Sequence, residues 1–433
     1  MDGDKLREEN FREEKTIIVG VELQNQEIDI ENSLDELEEL VKAAGGTVET
    51  RITQKKDTIN PALFIGKGKA EEIKKYCEEL DIDTVVFDHE LSGAQTRNLE
   101  ELIGKKILDR TNLILDIFAE RATSREGKLQ VKLAQLKYRL PRLVGFRDYL
   151  SREGGGIGTR GPGEQKLETD RRHILKEVNN IEKQIKEIEE NRKIQRQQRL
   201  DSNLPIIALV GYTNAGKSTL LNKLIRLYEN DEGDLKDVFV KDMLFATLDT
   251  SLRKAKLPNG QNYLITDTVG FVSKLPTNLI EAFKGTLEEV KYADLLLHVV
   301  DVSNKDLDIQ IKTTIEILKS LDVLDKPIIT VFNKMDKTDI SDIFYEDKLI
   351  GDKIFISAQK EENLLKLMEL VEEKLPFKYK KAILKIPYDK HNILNYFMEN
   401  YNITNLEHRE DGTYVELTIN EIDIEKYKEF IDN

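Results

Sequence analysis

Residues 211–218 read Gly-Tyr-Thr-Asn-Ala-Gly-Lys-Ser and fill every fixed position of the G-x-x-x-x-G-K-[ST] phosphate loop. Glycines at these points let backbone N–H groups close around α- and β-phosphates. The Lys217 ammonium reaches the β- and γ-phosphates, and the Ser218 hydroxyl is a Mg²⁺ ligand. The flanks agree: residues 204–210 form an apolar run expected as a buried strand, and residues 219–227 read as the following helix. The nucleotide-contacting set is therefore Gly211, Tyr212, Thr213, Asn214, Ala215, Gly216, Lys217, Ser218 and Thr219.

Downstream residues narrow the nucleotide. Ile265-Thr-Asp267-Thr268-Val-Gly270 follows a second strand-like run. There Asp267 is expected to hold Mg²⁺ through water, and the Gly270 N–H to sense the γ-phosphate. A third run ends in Asn333-Lys334-Met335-Asp336. The Asp336 carboxylate can accept the N1–H and N2–H₂ of guanine, and adenine offers no such donor pair. Ser357-Ala358 ends another strand where a base-edge loop is expected. Together these pieces imply GTP/GDP with Mg²⁺ and hydrolysis of GTP to GDP and phosphate, with Lys217, Thr247 and Gly270 acting at the reacting phosphate.

Thr247, within Phe245-Ala-Thr247-Leu-Asp249, is the threonine expected to join Mg²⁺ and the γ-phosphate only in the GTP form; Phe245 is taken with it as a nucleotide contact, and Thr250 is the weaker alternative. Phe271 stands directly after Gly270, where Ras-like proteins carry a water-orienting glutamine. A phenyl ring orients no water, so slow hydrolysis by the free protein is expected. Asn214 is either a K⁺ ligand beside the phosphates or a residue tolerant of unusual backbone angles.

These motifs need elements to position them. At 433 residues, about three domains are expected. Strand-like and helix-like runs alternate through residues 15–108, ending in a short strand, which argues for a small α/β domain with a mainly parallel sheet. In it, the loop 88–93 falls at a strand's carboxyl end, Gly66-Lys-Gly-Lys69 reads as a helix entry, and Cys77 reads as core. The fold class is α/β, with four expected segments. Residues 1–110 form an N-terminal α/β nucleotide-binding-like domain, 111–200 a basic helical hairpin, 201–378 a P-loop GTPase domain with a mostly parallel sheet, and 379–433 a small α+β domain closed by a helix over 423–431. One cysteine, a charged N-terminus without a signal sequence and no apolar run of membrane-spanning length point to the reducing cytoplasm. Peripheral contact with membrane is left open.

Net charge is −15, yet residues 121–199 carry 20 Lys/Arg against 11 Asp/Glu, leaving 46 against 70 for the rest. Leu129, Leu133, Leu136, Leu140 and Leu143 recur at 4-3-4-3 spacing, as do Ile174, Val178, Ile181, Ile185 and Ile188. Two such stripes joined by a loop predict an antiparallel coiled-coil hairpin, with Pro141 expected to kink or end its first helix. Between them residues 153–163 hold six glycines, including Gly155 and Gly156, and Arg142, Arg147, Arg152 and Arg160 lie in or beside that stretch. Glycine allows close backbone approach, and arginine suits phosphate and base contacts. RNA contact is therefore expected there.

The chain closely resembles the HflX family of ribosome-associated GTPases. The likeness lies in residues 63–70, 87–98, 109–118 and 155–170 and in Asp267-Thr-Val-Gly-Phe271. The resemblance implies binding of the GTP form to the large (50S) ribosomal subunit, with the hairpin reaching 23S rRNA near the peptidyl-transferase centre. It also implies splitting of stalled or idle ribosomes, ribosome-stimulated hydrolysis that releases the factor, and a monomer off the ribosome. Gln359 departs from the lysine common in that loop, which weakens the guanine contacts inferred there. Two rivals are a regulatory GTP switch acting on a protein partner and an RNA-remodelling enzyme that also uses ATP.

Overall fold

A computed structural model describes residues 13–23, 29–144, 162–200, 204–227, 245, 251–274, 279, 288–338, 351–375, 379–401 and 403–432, with side chains of the helix 162–200 described over 168–192. The chain forms two compact units. The first comprises residues 1–186 with 243–245 and 275–282, and the second comprises the remainder.

The first unit is built on a parallel sheet in the order β2-β1-β3-β4, from β1 (Glu14–Leu23), β2 (Gly46–Lys56), β3 (Thr84–Phe87) and β4 (Lys106–Asp109). Helices α1 (Ile30–Ala43), α2 (Lys67–Glu79) and α3 (Gly93–Ile103) alternate with the strands. β1 and β3 are buried along most of their length, the mark of strands covered on both faces. Ile17, Val19, Val85, Phe87, Ile73 and Cys77 share the core, so the lone thiol is packing, and burial pushes its pKa up. Gly66 caps α2, the helix entry expected there.

α4 (Arg110–Arg121) has no counterpart in the sequence reading. Asp109 starts it by accepting the Asn112 N–H at 2.8 Å, and Leu113, Ile114, Leu115, Ile117 and Phe118 are all buried. A helix apolar around most of its circumference shows no 3.6-residue stripe to find.

The hairpin helices are α5 (Arg125–Val144) and α6 (Pro162–Leu200). Leu133, Leu136, Val178 and Ile181 form one cluster with Leu129, Ile174 and Ile185 packed on it, so the two stripes do meet. Pro141 does not end the helix near Leu140; α5 continues to Val144. Pro141 lies in the last turn, where the Arg142 guanidinium donates to the Tyr138 carbonyl at 2.9 Å.

The second unit contains a six-stranded sheet in the order β10-β9-β8-β5-β7-β6. Its strands are β5 (Ile206–Gly211), β6 (Ser251–Lys256), β7 (Asn262–Asp267), β8 (Leu295–Asp301), β9 (Ile328–Asn333) and β10 (Asp352–Phe355). All neighbours are parallel except β6 and β7. Helices α7 (Lys217–Arg226), α8 (Leu307–Ser320) and α9 (Leu364–Lys374) accompany it. A separate antiparallel sheet, β12-β13-β11-β14, is made of β11 (Tyr379–Ile386), β12 (Ile403–Arg409), β13 (Gly412–Asn420) and β14 (Ile431–Asp432), with α10 (His391–Asn400) and α11 (Glu421–Lys426). The helix expected over 423–431 is thus cut short. Ile431 instead pairs with Leu384 as an edge strand and joins the small core around Phe397. No helix among the described residues is long and apolar enough to cross a membrane.

Candidate nucleotide site

β5 runs down the middle of the six-stranded sheet, so residues 211–218 leave its carboxyl end between β7 and β8, where open α/β sheets bind ligands. Gly211 has φ +147°, and a Cβ there would stand 2.2 Å from the Val299 carbonyl oxygen. Gly216 has φ +91°, with its would-be Cβ 2.3 Å from Asn333 Nδ2. Both positions therefore require glycine. Asn214 is exposed at φ +58°, the left-handed region that asparagine tolerates.

Lys217 opens α7, and its ammonium donates to the carbonyls of Gly211 at 3.0 Å and Tyr212 at 2.7 Å. Burial pushes its pKa down to about 8, against the pull of Asp267. Ser218 donates from Oγ to Asp267 Oδ2 at 2.6 Å, so the two Mg²⁺ candidates stand together. Thr219 follows in the first turn of α7. Gly270 lies against the loop, its would-be Cβ 2.7 Å from Thr213 Cα and 3.0 Å from Lys217 Nζ.

The candidate base-reading segments converge on the same edge. Asn333 donates from Nδ2 to the Ala215 carbonyl at 2.9 Å and accepts the Ala358 N–H on Oδ1 at 3.0 Å. One buried side chain thus joins the phosphate loop to both base-edge segments. Ser357 Oγ donates to Asp336 Oδ1 at 2.7 Å, and this bond is the largest cause holding the Asp336 carboxyl below its usual range. Lys334 pairs with Asp301 at 2.8 Å.

His298 went unnoticed in the sequence. It lies on β8, buried, and burial together with the Lys217 charge pushes its pKa down to about 4. A histidine inside the apolar run 295–300 was the available signal.

Other residues singled out in the sequence belong to the first unit or lie outside the described residues. Phe245 groups with the first unit, its ring edge-on to Phe118 at 4.5 Å. Arg142 is 15% exposed. It donates to the Leu91 carbonyl at 2.7 Å, pairs with Glu90 at 3.0 Å and Asp109 at 3.2 Å, and lies over the Tyr138 ring. These partners turn Arg142 inward, towards the loop after β3. Thr247, Thr250, Arg147, Arg152, Gly155, Gly156 and Arg160 lie outside the described residues.

Family models match three successive stretches of the chain. Residues 31–119 match the model described as GTP-binding GTPase N-terminal, 121–199 the GTP-binding GTPase Middle Region, and 206–334 the 50S ribosome-binding GTPase. GTPase HflX of Caldanaerobacter subterraneus subsp. tengcongensis is 47% identical over 417 residues, covering 96% of this chain and 94% of its own length. This chain belongs to the HflX family. The Lacrimispora saccharolytica GTPase HflX is 51% identical over 83% of this chain and 82% of its own, and that of Escherichia coli is 37% identical over 92% of each. As an HflX GTPase the chain binds GTP and GDP and hydrolyses GTP.

Proposed function

We propose that this chain acts on the ribosome: its GTP form binds the large subunit, splits stalled or idle ribosomes into subunits, and leaves after ribosome-stimulated hydrolysis. The observation that carries this reading is the packing of the two apolar stripes into one hairpin, in a segment of 20 Lys/Arg against 11 Asp/Glu. The match of residues 206–334 to a 50S ribosome-binding GTPase model supports the same target. With Arg142 turned inward, the contact set proposed for 23S rRNA near the peptidyl-transferase centre is Arg147, Arg152 and Arg160 with Gly155 and Gly156, on a factor that is monomeric off the ribosome. The differential affinity of the two nucleotide states for the ribosome drives the cycle.

Sedimentation with ribosomes tests it: a non-hydrolysable GTP analogue should produce free subunits with the protein on the large one, and GDP should not. Deleting residues 154–163 should leave basal GTPase intact and abolish splitting. Full splitting by that deletion rejects the probe role. Binding that barely falls with ionic strength would favour a protein partner over RNA.

At the phosphates, Ser218 would ligate Mg²⁺ directly and Asp267 through water, hard oxygen donors that suit this ion, with Thr247 added in the GTP form. Phe271 is buried and offers no group to orient water, so basal hydrolysis is slow. Asn214, exposed beside the loop, would hold K⁺ there. Replacing Na⁺ by K⁺ should therefore raise the basal rate; equal rates in the two salts would remove the K⁺ assignment.

A further inference from the structure

The carboxyl edge of a parallel sheet is where such folds usually take a ligand. In the first unit that edge takes a helix end of the chain itself. The Arg142 guanidinium, in the last turn of α5, donates to the Leu91 carbonyl at 2.7 Å and pairs with Glu90 at 3.0 Å and Asp109 at 3.2 Å. Asp109 ends β4 with its carboxylate buried, and it also accepts the Leu91 N–H at 2.9 Å and the Asn112 N–H at 2.8 Å. Arg142 brings a positive charge to that carboxylate, and removing it would leave a buried anion without this partner.

Backbone contact closes the same junction. Gly93 opens α3, and a Cβ on it would stand 2.7 Å from the Arg142 carbonyl oxygen and 2.9 Å from the Arg142 Cα. No side chain fits between the start of α3 and the end of α5. Further back, Gln130, Val131 and Ala134 are buried outside the stripe that meets α6, and α5 packs on both α3 and α4. One helix thus belongs to the sheet's covering layer and to the hairpin at once.

We propose that Arg142 is a positioning residue that locks the hairpin to the N-terminal sheet, so that the two move as one arm and strain set up on the ribosome passes between them without a hinge. Its guanidinium is spent on protein groups, and its effect on RNA runs through the placement of the hairpin. The role in splitting rests on the ribosome reading above; the junction itself does not.

Arg142→Lys keeps the charge and loses the fork that serves Leu91, Glu90 and Asp109 together. The rate at which ribosomes split with a non-hydrolysable GTP analogue should fall about tenfold, the worth of one charge-assisted bond. Affinity for isolated large subunits should stay within about twofold of the parent. Gly93→Ala presses on the same junction from the other side and should give the same separation of rate from affinity. Equal loss of both, the mark of a merely structural role, overturns the proposal, as does full splitting by the two variants. In Arg142→Gln the salt slope of large-subunit binding should be unchanged; a slope lowered by about one would make Arg142 an RNA contact and overturn it too. Amide exchange in the unsubstituted protein reads the junction without the ribosome. The Leu91 N–H and the amides in the last turn of α5 should open together, and opening of α5 ahead of Leu91 overturns the single arm whether or not the ribosome reading stands.

Discussion

Lys217→Ala is expected to abolish guanine-nucleotide binding at micromolar protein, a loss on the order of 10²–10³ in affinity for GDP and GTP alike. The ammonium is buried at the mouth of the phosphate loop and held by the carbonyls of Gly211 at 3.0 Å and Tyr212 at 2.7 Å. Those two bonds use two of its three donors and leave one for a phosphate oxygen. Burial already pushes its pKa down to about 8, so the free protein keeps this charge against a desolvation cost. A phosphate anion is the group that relieves that cost. Alanine removes both the cost and the attraction. The melting temperature of the variant should therefore hold or rise while nucleotide binding disappears, which separates this effect from unfolding. Titration with fluorescent GDP reads the affinity; retention within tenfold would show that Lys217 does not face the phosphates.

Most of this site could be read from the chain because its parts are local. Residues 211–218 fix their own backbone by glycine placement, and buried strands such as β8 and β9 announce themselves as apolar runs. Features that depend on distant partners were not legible. Arg142 looked like a free cation in a basic stretch, but Glu90, Leu91 and Asp109 are 33 to 52 residues away and nothing near Arg142 signals them. The Tyr212 hydroxyl is in the same position, its partner the Ser273 N–H 61 residues downstream. α4 was missed for a different reason, since a helix buried on most sides has no polar face to set its period. At the C-terminus, local helix propensity lost to strand pairing and burial of Ile431.

Asp336→Asn is expected to exchange guanine preference for xanthine preference. Asp336 is half-buried on the turn after β9, and Ser357 Oγ donates to its Oδ1 at 2.7 Å. Asn333 fixes that turn through Ala215 and Ala358, so the Asp336 carboxylate is placed by the scaffold and not by the ligand. In its ionised form a carboxylate only accepts hydrogen bonds, and guanine presents two donors, N1–H and N2–H₂. An asparagine amide can still accept from Ser357 through its oxygen, which leaves the turn intact. Its nitrogen then points a donor at the guanine donor on C2, and one good bond becomes a donor–donor conflict. Xanthine carries a carbonyl at C2 and accepts that same donor. The loss for GTP should be about a hundredfold or more, because a charge-assisted bond is replaced by an unpaired buried pair of donors. Xanthosine triphosphate should bind better to the variant than to the parent, while ATP stays excluded from both. Competition of GTP, XTP and ATP against fluorescent GDP or XDP gives all three numbers in one assay. If the variant keeps the parent's order of GTP over XTP, the base does not meet Asp336, and the guanine pocket must be built from the Ser357 loop alone.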